Sequence, residues 1–309
     1  MSLESRPLRI FLAVRRAGSV GRAAEALALS QPAVSKAVRR LEAELQVALF
    51  EREARGMVAT PFGEALAGHA ETVLGELESA ADEIAAMKGV ATGRVKVGAT
   101  PSLVAGLLPR ALDRLLARRP GLAIEVTEGI EDGLLDRLLK REIDLALLGE
   151  MRRVQAFPVI AEELMTDRVA TVCRPGHPLT AARPVSLARL RDFPWVLTER
   201  SNVMWRRLAE IFQAAGLDPP EPVVRTGSAT LMKALSAEGD FLSFLPRPLI
   251  HLEEAAGRLT VLPPPAPVWR RRVVALRRDR GALPLPARAL IQTLRDLIAG
   301  PTTRPFAPD

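Results

Sequence analysis

The 309-residue chain holds one cysteine, Cys173, and three histidines, His69, His177 and His251. A single thiol excludes an intrachain disulfide and fits a reducing, cytoplasmic setting. The histidines lie far apart and none neighbours the cysteine, so the supply of ligands speaks against a zinc site. Long apolar runs are missing too: charge or proline interrupts each one well before the roughly 20 residues that a membrane-spanning helix needs. Residues 1–17 scatter Arg6, Arg9, Arg15 and Arg16 among apolar positions, which does not read as a secretory signal. The sequence also has no Gly-x-Ser-x-Gly elbow, no glycine-rich phosphate loop and no His-Glu-x-x-His. No catalytic residue, metal or cofactor is therefore expected.

The composition that remains is globular, 48% hydrophobic and 26% charged, in a chain long enough for two or three domains. The net charge is +7 and the sequence pI about 10.5, and the charge is unevenly spread. Residues 1–60 hold ten Lys/Arg against six Glu, whereas residues 61–92 hold six acids and one lysine. A basic head followed by an acidic helix suggests a polyanion-binding module on a stalk. A charged surface that merely faces solvent is the alternative.

The stretch "SVGRAAEALALSQPAVSKAVRRLEAEL", residues 19–45, predicts two short helices around a tight turn. At about 100° per residue, Val38, Leu41 and Leu45 fall within roughly 40° of Val34 and form one buried stripe. Pro32, Ser35, Lys36, Arg39 and Arg40 fall on the opposite face. Pro32 suits a first helical turn, and Ser30 or Gln31 can cap it. Ala23, Ala24 and Leu27 put small residues where the preceding helix crosses. Such a pair is a helix-turn-helix unit, whose second helix enters the major groove. An amphipathic hairpin inside a helical bundle would share the periodicity. The next segment, "LFEREARGMVATPFGEAL", reads as a two-stranded wing leading into a new helix and favours the nucleic-acid reading.

These residues carry a family resemblance. The run "FLAVRRAGSVGRAAEALALSQPAVSKAVRRLEAELQVALFERE" with "ATPFGEAL" resembles, without a gap over about 60 residues, the DNA-binding domain of LysR-type transcriptional regulators. The match includes the Ala-Ala pair, Ser30-Gln31-Pro32, Ser35, Leu41-Glu42 and Leu49-Phe50. It departs at Gln46-Val47, where family members usually have a glycine. The candidate DNA contacts are Arg22, Ser30, Gln31, Pro32, Ser35 and Lys36. Arg39 and Arg40 complete the helix, and Arg52 and Arg55 lie on the wing.

From Pro61 a helix is expected to about Lys88, with Leu66, Ala70, Val73, Leu77, Ala80, Ile84 and Met87 spaced as an a/d heptad seam that wants a partner helix. Packing against its own domain is the alternative. The resemblance implies that this helix pairs with its twin, so that a two-fold protein reads an interrupted palindrome in double-stranded DNA. It also implies assembly from homodimer to homotetramer and RNA polymerase as a further partner. The expected domains are a winged helix-turn-helix over 1–60, a linker helix and hinge over 61–92, an effector domain over 93–300 and a tail over 301–309.

After Gly93 strands and helices alternate, which implies a parallel sheet covered by helices. "RVKVGAT" reads as a strand, "PSLVAGLLPRALDRLLARRP" as one helix from Pro101, and "RRRVVALRRDR" as a strand returning to the first unit. Two α/β lobes, about 93–164 with 268–300 and about 165–267, resemble the family's effector domain, which shares its fold with periplasmic solute-binding proteins. "Gly-His-Pro-Leu" at 176–179 and "Phe-Pro-Trp-Val-Leu" at 193–197 are typical of it. Asp240-Phe241 stand where members usually show a second glycine, which puts the pocket floor on that side in question. Ligands in open α/β sheets sit at the carboxyl ends of strands, near helix N-termini. That placement offers Thr100, Ser102, Glu128, Ser201, Asn202 and Thr226. The resemblance favours Thr100, Ser102, Ser201 and Asn202, although Ser and Asn also serve as helix caps. The expected effector is an organic anion or a sugar. "FEREARGM" and the alanine-rich head are similar to the branch that includes regulators of sugar-binding proteins and of protocatechuate catabolism.

Together these readings predict a nucleoid-associated, ligand-responsive transcriptional regulator with no membrane partner. A transported-solute receptor would need the two lobes without the head. A DNA-binding head fused to an α/β enzyme would need a catalytic constellation, and the sequence shows none.

Overall fold

The structure, a computed structural model, describes residues 4–53, 56–87, 93–151, 154–181, 185–263, 266–281 and 283–300. The chain divides into two compact units, Met1–Thr92 with Asp279–Leu285, and Gly93–Arg278 with Pro286–Asp309. No helix among the described residues is long and apolar enough to cross a membrane.

The first unit runs α1 (Ser5–Ala17), α2 (Val20–Ala26), α3 (Gln31–Leu45), β1 (Phe50–Glu53), β2 (Gly56–Ala59) and α4 (Pro61–Met87). Ser30 caps α3, its hydroxyl accepting from the Ala33 amide at 3.4 Å, and Pro32 sits in the first turn. Val34, Val38 and Leu41 turn inward as the stripe predicts, joining Phe11, Val14, Ala23, Ala24 and Leu49 in one core. The Glu42 carboxylate accepts from the Leu49 and Phe50 amides at 2.9 and 3.3 Å, so the Leu-Glu pair anchors the start of the wing. β1 and β2 pair antiparallel, Arg52 opposite Met57. Thr60 ties wing to stalk: its hydroxyl donates to the Ala48 carbonyl at 2.7 Å and accepts from the Gly63 amide at 3.1 Å. A Cβ at Gly63 would collide with the Leu49 carbonyl oxygen, which is why this turn of the stalk takes glycine.

The family departure at Gln46 has a conformational cost. Gln46 caps α3 in the left-handed region (φ 56°, ψ 28°), where its amide donates to the Glu42 carbonyl. A side chain there costs about 1–2 kcal/mol that glycine avoids, and glycine returns part of this through a more disordered unfolded chain. Gln46→Gly is therefore expected to stabilise the unit by about 0.5–1 kcal/mol in urea denaturation. A lowered midpoint would mean that the glutamine side chain makes a contact outweighing the backbone strain.

The second unit begins with β3 (Gly93–Ala99), α5 (Pro101–Ala105), α6 (Leu107–Arg118), β4 (Leu122–Glu128), α7 (Glu131–Leu139) and β5 (Leu145–Gly149). It continues with β6 (Val159–Cys173), α8 (Pro178–Ala181), α9 (Leu187–Leu190), β7 (Val196–Leu197), α10 (Val203–Ala214), β8 (Val224–Arg225) and α11 (Ala229–Glu238). β9 (Ser243–Pro246), α12 (Arg247–Ala255), β10 (Thr260–Val261), β11 (Val268–Arg278) and α13 (Leu285–Ala299) complete it.

The structure corrects two expectations. The helix from Pro101 is two helices, because Gly106 takes a non-helical conformation (φ −104°, ψ −90°) between α5 and α6. The large sheet is mixed rather than parallel. β4, β3 and β5 are parallel to one another, but β11 pairs antiparallel with β5 and β6, and β6 antiparallel with β9 and β10. The two long strands β6 and β11 thus run side by side between the lobes. One core gathers Leu134, Leu138, Ile143, Leu148 and Leu276; another gathers Trp195, Leu208, Phe212, Leu242 and Phe244.

The family-typical segments of the second lobe are structural. The indole of Trp195 is fully buried, donates to the Leu190 carbonyl at 2.8 Å and meets Phe212 edge-on. His177 is buried beside Phe193, and its Nδ1 accepts from the Leu179 amide at 3.1 Å. Burial lowers its pKa, which keeps the ring neutral in this turn. Asp240, in place of the usual glycine, accepts from Arg174 at 2.7 and 3.1 Å, and Phe241 packs against an apolar cluster around Leu245 and Ile250. The departure is thereby accommodated at the surface and in that cluster. Cys173 is buried, which pushes its thiol up to about 12 and leaves no thiolate at neutral pH.

Candidate nucleic-acid interface and effector cleft

On α3 the outward residues are Gln31, Pro32, Lys36, Arg39 and Arg40, with Ser35 half-buried at the margin. They do not form one equivalent basic patch. Arg40 donates to Glu44 at 2.9 Å one turn on, and that hydrogen bond raises its pKa while neutralising its charge locally. Lys36 and Arg39 have no partner among the described residues. The Gln31 amide lies against Gly21, where a Cβ would stand 3.0 Å from Nε2, so α2 and α3 approach closely at that end. Arg22 and Arg52 are exposed on α2 and on the wing, and Arg55 lies outside the described residues. A helix with free cations on one face and a fixed apolar stripe on the other can place ammonium and guanidinium groups against phosphates or guanine edges.

In the second unit a cleft opens where the end of β3 and the strands β9 and β11 meet α5, α7, α10, α11 and α12. Its inner chamber, a cavity of about 70 Å³, is lined by Thr100, Ser102, Glu131 and Arg271 and by apolar residues including Met204, Met232, Phe244 and Leu249. An outer chamber of about 180 Å³ shares Ile130, Glu131, Thr198, Asn202 and Gly227 with it and adds Ser201, Glu150, Glu199 and Arg206. Neither Asp240 nor Phe241 lines the cleft, so the departure from the family glycine leaves its floor unaltered.

The sequence-predicted residues divide three ways. Thr100 and Ser102 are buried at the inner chamber, their hydroxyls 3.5 Å apart; Thr100 stands at the cap of α5 but makes no capping bond. Asn202 lines both chambers while capping α10, its Oδ1 accepting from the Met204 amide at 2.8 Å, and Ser201 reaches only the outer one. Glu128 and Thr226 do not line the cleft. Glu128 is exposed at the end of β4, and Thr226 accepts from the Ser228 amide in the turn before α11.

Three residues at the centre are not among those the sequence singles out. Arg271, only 3% exposed, donates from Nε and Nη2 to the two oxygens of Asp167 at 2.7 and 2.8 Å, and from Nη2 to the Ser102 hydroxyl at 2.8 Å. Burial pulls its pKa down, but the charge and hydrogen bonds of Asp167 outweigh this and hold it above the ordinary value. Glu131 approaches Arg271 Nη1 at 4.0 Å, and desolvation raises its pKa against the opposing pull of Arg271. A period-two signal was available for the arginine, since Arg271 is in phase with the buried Trp269 and Val273 whereas Arg270 and Arg272 point outward.

Comparison with known proteins places the chain. The family model described as the LysR substrate binding domain matches residues 88–299, and that of the bacterial regulatory helix-turn-helix protein, lysR family, matches residues 5–64. The chain belongs to the LysR family of DNA-binding, ligand-responsive transcriptional regulators. Among its relatives is the transcriptional regulator GbpR of Azospirillum brasilense, 31% identical over 262 residues, which span 84% of this chain and 77% of that protein. Another is PcaQ of Agrobacterium fabrum, 31% identical over 264 residues and 84% of each chain. In fold the chain is similar to a full-length OxyR variant from Pseudomonas aeruginosa, with a TM-score of 0.70 at 24% identity over 95% of this chain and 98% of that one. It is also similar to full-length CbnR solved with its target DNA, with a TM-score of 0.63 at 22% identity over 95% and 99%.

Proposed function

We propose that this regulator reads an interrupted palindrome through paired α3 helices and senses a small metabolite in the cleft between its lobes. Lys36 and Arg39 supply the principal contacts of the head, with Gln31, Ser35, Arg22 and the wing arginines around them. Dimers form through α4 and assemble towards tetramers, with RNA polymerase as the further partner that the family resemblance supplies. The cytoplasmic nucleoid is the place of work. The observation that carries the sensing role is the cleft itself. Thr100 and Ser102 bring buried hydroxyls to a cavity bounded by both lobes, and β6 and β11 offer the hinge. Closure of such lobes on a ligand is hinge motion, and only the ligand's differential affinity for the two arrangements is available to drive it, about 1–3 kcal/mol.

Ser102→Trp is the test. Its bulk fills the inner chamber, so the variant should bind promoter DNA with unchanged affinity and lose any ligand-dependent change in footprint or DNA bend. The ligand is first found by thermal screening of the wild type against metabolites, since binding to the native fold raises its melting point. A Ser102→Trp protein that melts normally and still gives the full ligand-dependent footprint would place the sensor elsewhere.

A further inference from the structure

Arg271 meets the inner chamber with one edge of its guanidinium uncommitted. Nε and Nη2 are taken by Asp167 and Ser102, while Nη1 has no hydrogen-bond partner among the described residues. The nearest carboxylate oxygen on that edge, Glu131 Oε1, stands 4.0 Å away. Gly149 at the end of β5 makes this position available, because a Cβ there would come within 2.8 Å of Nη1. Two N–H groups left unmatched in a nearly solvent-free site favour an incoming acceptor.

The charges around that gap restrict the acceptor. Arg271 on β11 is already balanced by Asp167 on β6. Glu131 stands on α7 with Asp132 beside it, and the outer chamber brings Glu199, Arg206 and Glu150, the last accepting from Arg272 at 2.7 Å. Acids outnumber bases, so an anion entering the cleft meets repulsion unless a carboxyl gives up its charge. Glu131 is placed to do so: its side chain is 14% exposed, and the cost of burying its charge favours the protonated form. Its position in the first turn of α7 and the nearby guanidinium act the other way. The remaining wall, Met204, Met232, Phe244 and Leu249, is apolar and suits a hydrocarbon body.

We propose that the cleft takes a small monocarboxylic acid, its carboxylate on the Nη1 edge of Arg271 and its charge matched by a proton on Glu131. The neutral carboxyl of Glu131 then donates its O–H to the ligand carboxylate, a charge-assisted hydrogen bond. The apolar body of the acid faces the methionines and Phe244. The inference rests on the cleft being the effector site. By linkage, an anion that prefers protonated Glu131 raises the proton affinity of that group, so binding takes up a proton from solvent wherever Glu131 is ionised in the free protein. Affinity is full below the Glu131 pKa of the free protein and declines as pH rises through it.

The test is calorimetric titration of the full-length protein with butanoate, pentanoate and benzoate, each against its amide and alcohol, between about pH 6 and pH 9. Repeating it in buffers of different ionisation enthalpy counts the protons taken up by the wild type, independently of any variant. The expected result is binding of at least one acid in preference to its amide, with affinity falling towards about tenfold per pH unit and proton uptake over the same range. Glu131→Gln should bind that acid with little dependence on pH. Acids whose affinity is flat or rises with pH overturn the proposal, as do amides or alcohols binding as tightly, a Glu131→Gln variant keeping the pH dependence, or no acid binding. Ser102→Trp separates the two levels. A neutral ligand whose binding that variant abolishes sinks the carboxylate and leaves the cleft as the effector site, whereas acid binding that survives it sinks the cleft reading as well.

Discussion

A Lys36→Ala, Arg39→Ala double variant is expected to fold normally and to lose specific DNA binding. Both side chains are exposed on α3 and partnerless among the described residues, so removing them leaves the Val34–Val38–Leu41 core, the Ser30 cap and the Glu42 bonds to the wing intact. Removing one base or phosphate interaction costs about 1–3 kcal/mol, so the pair costs about 2–6 kcal/mol, a weakening of roughly 30-fold to more than 10⁴-fold. If the interactions are with phosphates, the slope of log affinity against log salt falls by about two as well. Arg40→Ala is the internal control. Its guanidinium is already held by Glu44, and its truncation should weaken binding less than either single change at Lys36 or Arg39. The DNA is a site selected by the wild-type protein from random sequence, and anisotropy titration reads the affinity. A folded double variant with undiminished affinity would show that another face of the head meets DNA.

The contrast between Lys36 and Arg40 marks how far sequence alone can be read. Periodicity sets both on the outer face of α3, because angular position depends only on spacing along one helix. It does not say that a glutamate one turn later claims one of them. The same limit recurs on a larger scale in the second unit. The helices α10 and α13 follow from local pattern, whereas the antiparallel placing of β6 against β11 does not, since these strands are neighbours joined across about a hundred residues of chain. Arg271 and Asp167 meet only through that register, so the period-two pattern turns Arg271 inward but does not name Asp167 as its partner. The helix break at Gly106 escapes the sequence for a different reason. Leucines continue on both sides of it with helical spacing, and only the tertiary requirement that α5 and α6 diverge tells this glycine from one tolerated within a helix. Where a residue's role is set by its own next few residues, as for Ser30 and Pro32 at the start of α3, the sequence suffices.

The stalk gives the second large effect, and there the structure redraws the predicted seam. Of its positions, Ala70 turns into the core of its own head along with Ala67 and Leu74. Further along, Val73, Leu77 and Ile84 are 46%, 49% and 54% exposed on a helix otherwise rich in acids. The side chain of Met87 lies outside the described residues. The exposed three are spaced by four and seven residues, within about 40° of one another around the helix, which is the stripe a partner helix would cover. Val73→Glu with Leu77→Glu should therefore convert the assembly to smaller species, because a pair of such helices would bring four carboxylates together in an apolar seam with no bases to match them. Light scattering during size-exclusion chromatography reads the mass directly. Footprinting should then show a single half-site protected at higher protein concentration, since one head no longer positions the other. Leu74→Glu separates this from simple unfolding. Leu74 points into the head, so that change should lower the melting temperature of the unit, whereas the Val73/Leu77 pair should leave the isolated protomer's helix content and head packing in place. If the double variant keeps the wild-type mass, the exposed stripe is not the dimer seam, and the fixed spacing of the two reading heads must be held by the effector domains alone.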